Sequence, residues 1–314
     1  MQAVVYDRTG GPEVLEFREV PDPEPADGEV LVDVAAVGVN FRDVYEREGR
    51  PPYTASPPAV IGVEGAGTVV GTGERVAWLD VRGSYAQRVA APRAKLVPVP
   101  DGVALDVAAA AMLQGCTAQY LVTDSHPVAE GDWAVVHSAA GGVGLLLTQL
   151  VRARGGHVLA TTSTEGKAEL ARGAGAEEVV VGYTGFADRV RELSGGEGAA
   201  VVYDGVGRTT FDEGLTALRP GGRMIVYGAA SGQPAPLELH RLAGAGSLFV
   251  QRPTLATYTR TPELLRALAG AVLETVAAGR LDVRIGTRLA LAEARRGHEE
   301  LEARRTTGKL HLLP

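Results

Sequence analysis

From residue 1 to about 115 the apolar positions come in short runs cut by proline and glycine: AVVY (3–6), VLVDVAAVGV (30–39), AGTVV (66–70) and RVAWL (75–79). Short apolar runs bounded by turn formers predict strands. Between them, PDPEPADGE (21–29) and PPYTASPP (51–58) carry prolines that no helix interior tolerates. The pattern predicts a compact all-β domain over this stretch.

At about residue 131 the pattern changes. WAVVH (133–137), HVLATT (157–162), EEVVVGY (177–183), AAVVYD (199–204) and RMIVYG (223–228) are apolar runs. They alternate with helix-like stretches that follow Gly144 or cover EGKAELARGAG, FADRVREL and TTFDEGLTALR. Such alternation predicts a parallel sheet with helices on both faces. The last third offers an amphipathic helix within 262–281 that ends near Gly279, a strand over 283–291, a helix over 290–304 and a final short strand in GKLHLLP. No second nucleotide fold fits there, so this segment is expected to complete the first domain.

A chain of 314 residues favours two domains. The net charge of −7, without a basic stripe, argues against nucleic acid or an anionic membrane as partner. The N-terminus lacks a signal-peptide pattern and no apolar run approaches a membrane span, so a cytoplasmic location is expected. Cys116 is the single cysteine, which excludes an internal disulfide and a Cys-rich zinc site.

The chemistry centres on HSAAGGVG (137–144), which ends a strand and opens a helix, the context a dinucleotide fingerprint requires. Against G-x-G-x-x-G it offers Ala139, Gly141 and Gly144. Gly141 would let the backbone approach a pyrophosphate, and Gly144 would let the helix pack closely on the strand. Ala139 is compatible if φ there is negative; a purely structural turn is the competing reading. The next strand ends in TTSTEGK, placing Thr162 and Ser163 where an NAD site carries an acid, with Lys167 following. Hydroxyls and a cation suit a 2′-phosphate and point to NADP(H), whereas Glu165 in the ribose role would point to NAD.

These motifs together resemble the zinc-free quinone oxidoreductase (zeta-crystallin-like) branch of the medium-chain dehydrogenase/reductase superfamily. The resemblance runs in order through GGPEVLEFREVPDPEP (10–25), VGVNFRDVYEREG (37–49), LQGCTAQYLV (113–122), HSAAGGVG, VVYDGVGRTTF (201–211), SLFVQRPTLATY (247–258) and RRTTGK (304–309). It implies an α/β fold: a GroES-like β-barrel catalytic domain, 1–115 completed by 256–314, and a Rossmann doubly wound parallel-sheet NADP(H)-binding domain, 116–255. It also implies a homodimer joined at the sheet edge near Ser247–Gln251. Zinc-dependent relatives have Gly-His-Glu where this chain has Gly62-Val63-Glu64, so no metal is expected.

By the same resemblance, Asn40 and Tyr45 are the catalytic candidates. Asn40 would donate to a developing oxyanion, against the alternative of a turn-capping asparagine, and Tyr45 would bond a quinone oxygen or supply a proton, against the alternative of a buried structural tyrosine. The implied cofactor contacts are Asn40, Thr117, Ala140, Gly141, Gly142, Val143, Gly144, Ser163, Lys167, Tyr183, Ser231, Phe249, Val250, Gln251 and Arg304. Arg305 competes with Arg304 for the 2′-phosphate. Two departures stand out: Tyr53 is displaced from an R-x-G-x-Y pattern by Arg50-Pro51-Pro52, and GTVVGTGERVAWLD (67–80) is short. The expected activity is NADPH-dependent reduction of a small-molecule quinone. A reductase of activated C=C bonds in enones, enals or enoyl thioesters is the nearest rival, since NFRDV also resembles polyketide enoyl-reductase modules. A non-enzymatic nucleotide-binding protein is the rival of a different class.

Overall fold

A computed structural model describes residues 1–314. The apolar runs of the first stretch form β1 (Gln2–Tyr6), β2 (Glu16–Glu19), β3 (Glu29–Val39), β4 (Ala59–Val60), β5 (Glu64–Val69), β6 (Arg75–Leu79), β7 (Arg88–Pro92) and β8 (Leu96–Pro98). Two helices belong to the same part of the chain: α1 (Phe41–Arg47), directly after β3, and α2 (Leu105–Tyr120). The alternating stretch gives β9 (Trp133–Val136), α3 (Gly142–Arg152), β10 (His157–Thr162), α4 (Glu165–Gly173), β11 (Glu178–Val181), α5 (Phe186–Leu193) and β12 (Ala199–Asp204). It continues through α6 (Phe211–Ala217), β13 (Leu218–Val226), α7 (His240–Gly244), β14 (Phe249–Gln251) and α8 (Leu255–Tyr258). The chain closes with α9 (Pro262–Ala277), β15 (Ile285–Ala290), α10 (Ala294–Glu302) and β16 (Lys309–Leu313).

These elements form two compact units, Met1–Cys116 with Thr259–Pro314, and Thr117–Tyr258. The first unit holds a three-stranded sheet, β2-β1-β4, and a seven-stranded sheet, β15-β16-β3-β5-β6-β8, with β7 also on β3. β16 therefore returns from the end of the chain to lie between β15 and β3, with His311 opposite Gly38. Its core gathers Val4, Tyr6, Val37, Ile61, Trp78, Tyr85, Leu289 and Leu312, all buried.

The second unit is a six-stranded parallel sheet in the order β11-β10-β9-β12-β13-β14. Counted along the unit, that order is third, second, first, fourth, fifth, sixth: the doubly wound arrangement, whose winding reverses between β9 and β12. Val135, Leu159, Phe186, Val202, Leu215 and Met224 supply its core.

The expectation of an all-β first part is corrected by α2. Ala108 to Met112 are all buried, so the helix is apolar around its circumference and shows no polar stripe to reveal a helical period. Its alanines nonetheless have the highest helix propensity. α9 stops at Ala277, with Ala278 as its C-cap and Gly279 following at φ 65°, the end expected near Gly279; α10 starts at Ala294 after a single 3-10 turn over Leu291–Glu293.

Candidate functional site

In the second unit, the glycine-rich turn connects β9 to α3 at the reversal point of the sheet. Open α/β sheets bind ligands in this crevice, at the carboxyl ends of the strands. Gly141 is the N-cap of α3, with φ −77° and ψ 168°. The first N–H groups of α3, from Gly142 onward, lack acceptors within the helix and carry its positive dipole end. A Cβ on Gly144 would lie 2.5 Å from Ser138 O and 2.6 Å from Ala139 Cα. Only glycine lets the helix start this close to the strand end. Ala139 is absent from the positive-φ residues, and the left-handed turn falls one position earlier, at Ser138 with φ 51°. That explains how an alanine serves where the fingerprint has its first glycine.

β10 ends at Thr162, and exposed Ser163 follows it. Thr164 caps α4 by accepting from the Lys167 N–H at 3.4 Å. This keeps Lys167 in the first turn of α4, half-buried, three residues past the cap. Glu165 is exposed and pairs with Arg172 at 3.7 Å. The Tyr183 hydroxyl stands 3.2 Å from Ser138 Oγ, so the turns after β9 and β11 are joined beside the cradle.

At the end of β12, buried Asp204 accepts from the N–H groups of Val206 (2.7 Å) and Gly207 (2.9 Å) and from the Thr210 hydroxyl (2.8 Å). Burial pushes its carboxyl up, and these donors pull the other way. Ser231 donates to Val206 O at 2.8 Å and accepts from Thr209 N–H at 3.1 Å, tying two loops beyond the sheet together. On β14, at the sheet edge, Phe249 is 54% and Val250 37% exposed, and the Arg223 guanidinium lies 4.8 Å from the Phe249 ring centre. Gln251 instead donates inward to the Tyr258 hydroxyl at 3.2 Å. Thr117 is buried on α2.

In the first unit, Asn40 caps α1 and is almost fully buried. Its N–H donates to Asp43 Oδ2 at 2.8 Å, its amide oxygen accepts from Lys309 Nζ at 2.8 Å, and Nδ2 approaches Gly38 O at 3.4 Å. Lys309 is ion-paired with Glu64, whose other oxygen accepts from the Leu113 N–H at 2.9 Å. Both charged residues are buried, and burial pushes the Glu64 carboxyl up against the opposing pull of Lys309.

A second buried chain reaches Asn40 through Asp43. Arg47 NH1 stands 3.0 Å from His298 Nδ1, His298 Nε2 stands 3.4 Å from the Tyr85 hydroxyl, and that hydroxyl donates to Asp43 Oδ2 at 3.0 Å. A guanidinium only donates, so Nδ1 accepts and the His298 proton sits on Nε2. Arg47 also donates to Gly10 O and to Glu302, which locks α1 onto α10. Burial pushes the Asp43 carboxyl up to about 7.

Tyr45 is half-buried on the same helix. The displaced Tyr53 is brought back beside it, with the rings stacked at 6.1 Å and 25°. Arg50 lies over the Tyr45 ring and Arg42 over the Tyr53 ring. Arg304, exposed, follows α10 with φ 56°. Sequence reasoning passed over Lys309, Tyr85 and His298, and treated Glu64 only as the remnant of a zinc motif. The signal for Lys309 was a lysine inside the apolar strand KLHLL.

The residues do not fit a metal centre. No group of three or more His, Cys, Asp or Glu side chains gathers anywhere in the chain. Val63 is a buried aliphatic residue, and burial pushes the Cys116 thiol far up, away from the thiolate a metal takes. No helix is long and apolar enough to cross a membrane.

Comparison with known proteins bears on both units. The alcohol dehydrogenase GroES-like domain family matches residues 26–101, and the zinc-binding dehydrogenase family matches residues 142–270. A quinone oxidoreductase of Pseudomonas aeruginosa is 41% identical over 97% of this chain and 97% of its own length. A 2-haloacrylate reductase of a Burkholderia species is 38% identical over 100% of this chain and 99% of its own. The structure of a mycobacterial protein complexed with NADPH superposes with a TM-score of 0.95 at 43% identity, covering 100% of both chains.

Proposed function

The chain belongs to the quinone oxidoreductase branch of the medium-chain dehydrogenase/reductase superfamily, and from that premise we propose that it reduces quinones with NADPH. The observation that carries the cofactor is the cradle itself. A Cβ on Gly144 would collide with the backbone of the turn, and the neighbouring strand ends in the hydroxyls of Thr162 and Ser163, with Lys167 in the helix that follows. Bound there, NADPH supplies a hydride.

Ala140, Gly141, Gly142, Val143 and Gly144 would hold the pyrophosphate on the N–H groups of α3. Ser163, Lys167 and Tyr183 would surround the adenosine phosphate, with Arg304 a further cation for it. Thr117, Ser231, Phe249, Val250 and Gln251 complete the proposed contacts, although Ser231 is already engaged in joining its loops. The catalytic role is assigned to 1–115 with 256–314, and cofactor binding to 116–255.

For a quinone to become a hydroquinone, one carbonyl oxygen must gain negative charge and then a proton. The Asn40 amide is assigned as donor to that oxygen, an interaction strongest when the charge has developed. The Tyr45 hydroxyl is assigned to deliver the proton. The exposed edge of β14, with Phe249 and Val250, is proposed as the seam of a homodimer, and the protein as cytoplasmic.

A second reading has its own support: a relative named for the reduction of 2-haloacrylate, a molecule that carries an activated C=C bond, matches the whole chain. Steady-state NADPH oxidation with 1,4-benzoquinone, 9,10-phenanthrenequinone, 2-chloroacrylate, 2-hexenal and crotonyl-CoA separates the two. Quinone turnover is expected. No turnover with either quinone, alongside turnover of an alkene substrate, overturns the first reading in favour of the second.

A further inference from the structure

The buried Glu64–Lys309 pair sits where a fold has little reason to place two charges. Desolvating an ion pair costs about as much as its attraction returns, and apolar residues of the same volume serve stability equally well or better. The pair is nevertheless built with care. Glu64 and Lys309 are 0% and 1% exposed, Leu113 N–H holds the far oxygen of Glu64, and Gly38 leaves them room. The pair reaches Asn40 from both ends: Lys309 Nζ donates to the amide oxygen, and the Glu64 carboxylate is supported by the amide NH2.

That bond has a directional consequence. An ammonium only donates, so the amide oxygen must be the end of Asn40 that faces Lys309. A carboxamide otherwise turns through 180° at little cost, exchanging donor for acceptor. With oxygen pinned, the NH2 is held on the opposite side, where its contacts are the long approach to Gly38 O and support of the Glu64 carboxylate. The charge on Lys309 also draws electron density from the amide and strengthens its N–H groups as donors.

We infer that Lys309, set in place by Glu64, is a positioning residue that fixes which end of the Asn40 amide meets the acceptor. The inference rests on the donor role assigned to Asn40 above. Without the ion pair, the amide samples both orientations, and in one of them its carbonyl oxygen faces the developing negative charge.

Lys309→Met alone strands a buried carboxylate and is expected to unfold, so the test uses Glu64→Gln/Lys309→Met, a neutral pair of similar shape. Circular dichroism and the thermal midpoint establish that it folds. Expected with 1,4-benzoquinone and NADPH is a fall in kcat of roughly two- to ten-fold, short of the loss in Asn40→Ala, which removes the donor outright, and a quinone KM within about two-fold of native. The triple variant, with Asn40→Ala added to the neutral pair, should be no slower than Asn40→Ala alone, because the pair acts on turnover through Asn40. Native kcat in the folded neutral pair overturns the inference, as does a triple variant showing the product of the separate losses. Native kcat in Asn40→Ala alone overturns the donor role of Asn40, a failure visible without reference to Lys309.

Discussion

Gly38 lies against the carboxylate of Glu64, so close that a Cβ on residue 38 would overlap Oε1 and the Lys309 side chain. Its φ is not in the left-handed region. The glycine is therefore needed for space and not for conformation. Gly38→Ala should destabilise the protein by about 1–3 kcal/mol, the usual cost of overpacking. The same substitution should lower turnover by displacing Lys309 from Asn40. Urea unfolding and steady-state kinetics on one preparation check both, and a stability change within error would mean that the pair moves aside freely.

Two glycines at helix starts in the second unit make a matched experiment. A Cβ on Gly144 meets the backbone of Ser138 and Ala139, whereas one on Gly166 meets nothing within 4 Å. Gly144→Ala should push α3 away from the cradle and weaken NADPH by roughly ten-fold, about 1.4 kcal/mol. Gly166→Ala should stabilise α4 by about 0.5–1 kcal/mol and leave affinity alone. Fluorescence titration with NADPH and thermal melts of both variants decide the matter.

Cofactor choice follows from charge. Lys167→Ala and Arg304→Ala should each weaken NADPH by about 1.5–3 kcal/mol while changing NADH little, since charge-assisted bonds to phosphate are lost only with the former. Arg305→Ala is the control for its neighbour. Equal losses for the two cofactors would remove the 2′-phosphate from these side chains.

Acid stability should be set by buried imidazoles. Burial lowers His137, His298 and His311 from 6.5 to about 3. Between those values the unfolded chain binds protons that the folded chain does not, so stability falls as pH drops from 6.5 toward 3. Asp43, raised from 3.8 to about 7, acts oppositely: its contribution is complete below 3.8 and lost as pH rises toward 7. His311 is the most exposed to test, because neither ring nitrogen has a partner. His311→Phe should gain about 1 kcal/mol at pH 7 by removing unpaired polar atoms. It should also reduce the acid slope by about 1.4 kcal/mol per pH unit at most. An unchanged slope in urea titrations from pH 7 to pH 4 would show that His311 is solvated.

What could be read from the chain was what is local. The strand–turn–helix around Ala139–Gly144, the change at Thr162–Lys167 and the short helix after Asn40 all depend on neighbours within a few positions. α2 was illegible because its alanines bury every face, leaving no period to detect. The partners of Asn40 were illegible for another reason: Lys309 lies 269 residues away, and sheet pairing of β16 with β3 delivers it. Tyr53 shows a third limit, since spacing placed it out of pattern while the turn at Arg50–Pro52 returns its ring to Tyr45.

The insertion of β16 between β15 and β3 also sets an order of assembly. All six strands of the parallel sheet lie within 117–258, an unbroken stretch that leaves the ribosome before β16 is made. The seven-stranded sheet cannot close until residues 309–313 arrive. Pairing across such a separation is slow, and the edge of β3 stays open to wrong partners meanwhile. The same late strand brings Lys309, so a nascent chain can acquire its nucleotide cradle early, yet Asn40 is oriented only when the last strand docks.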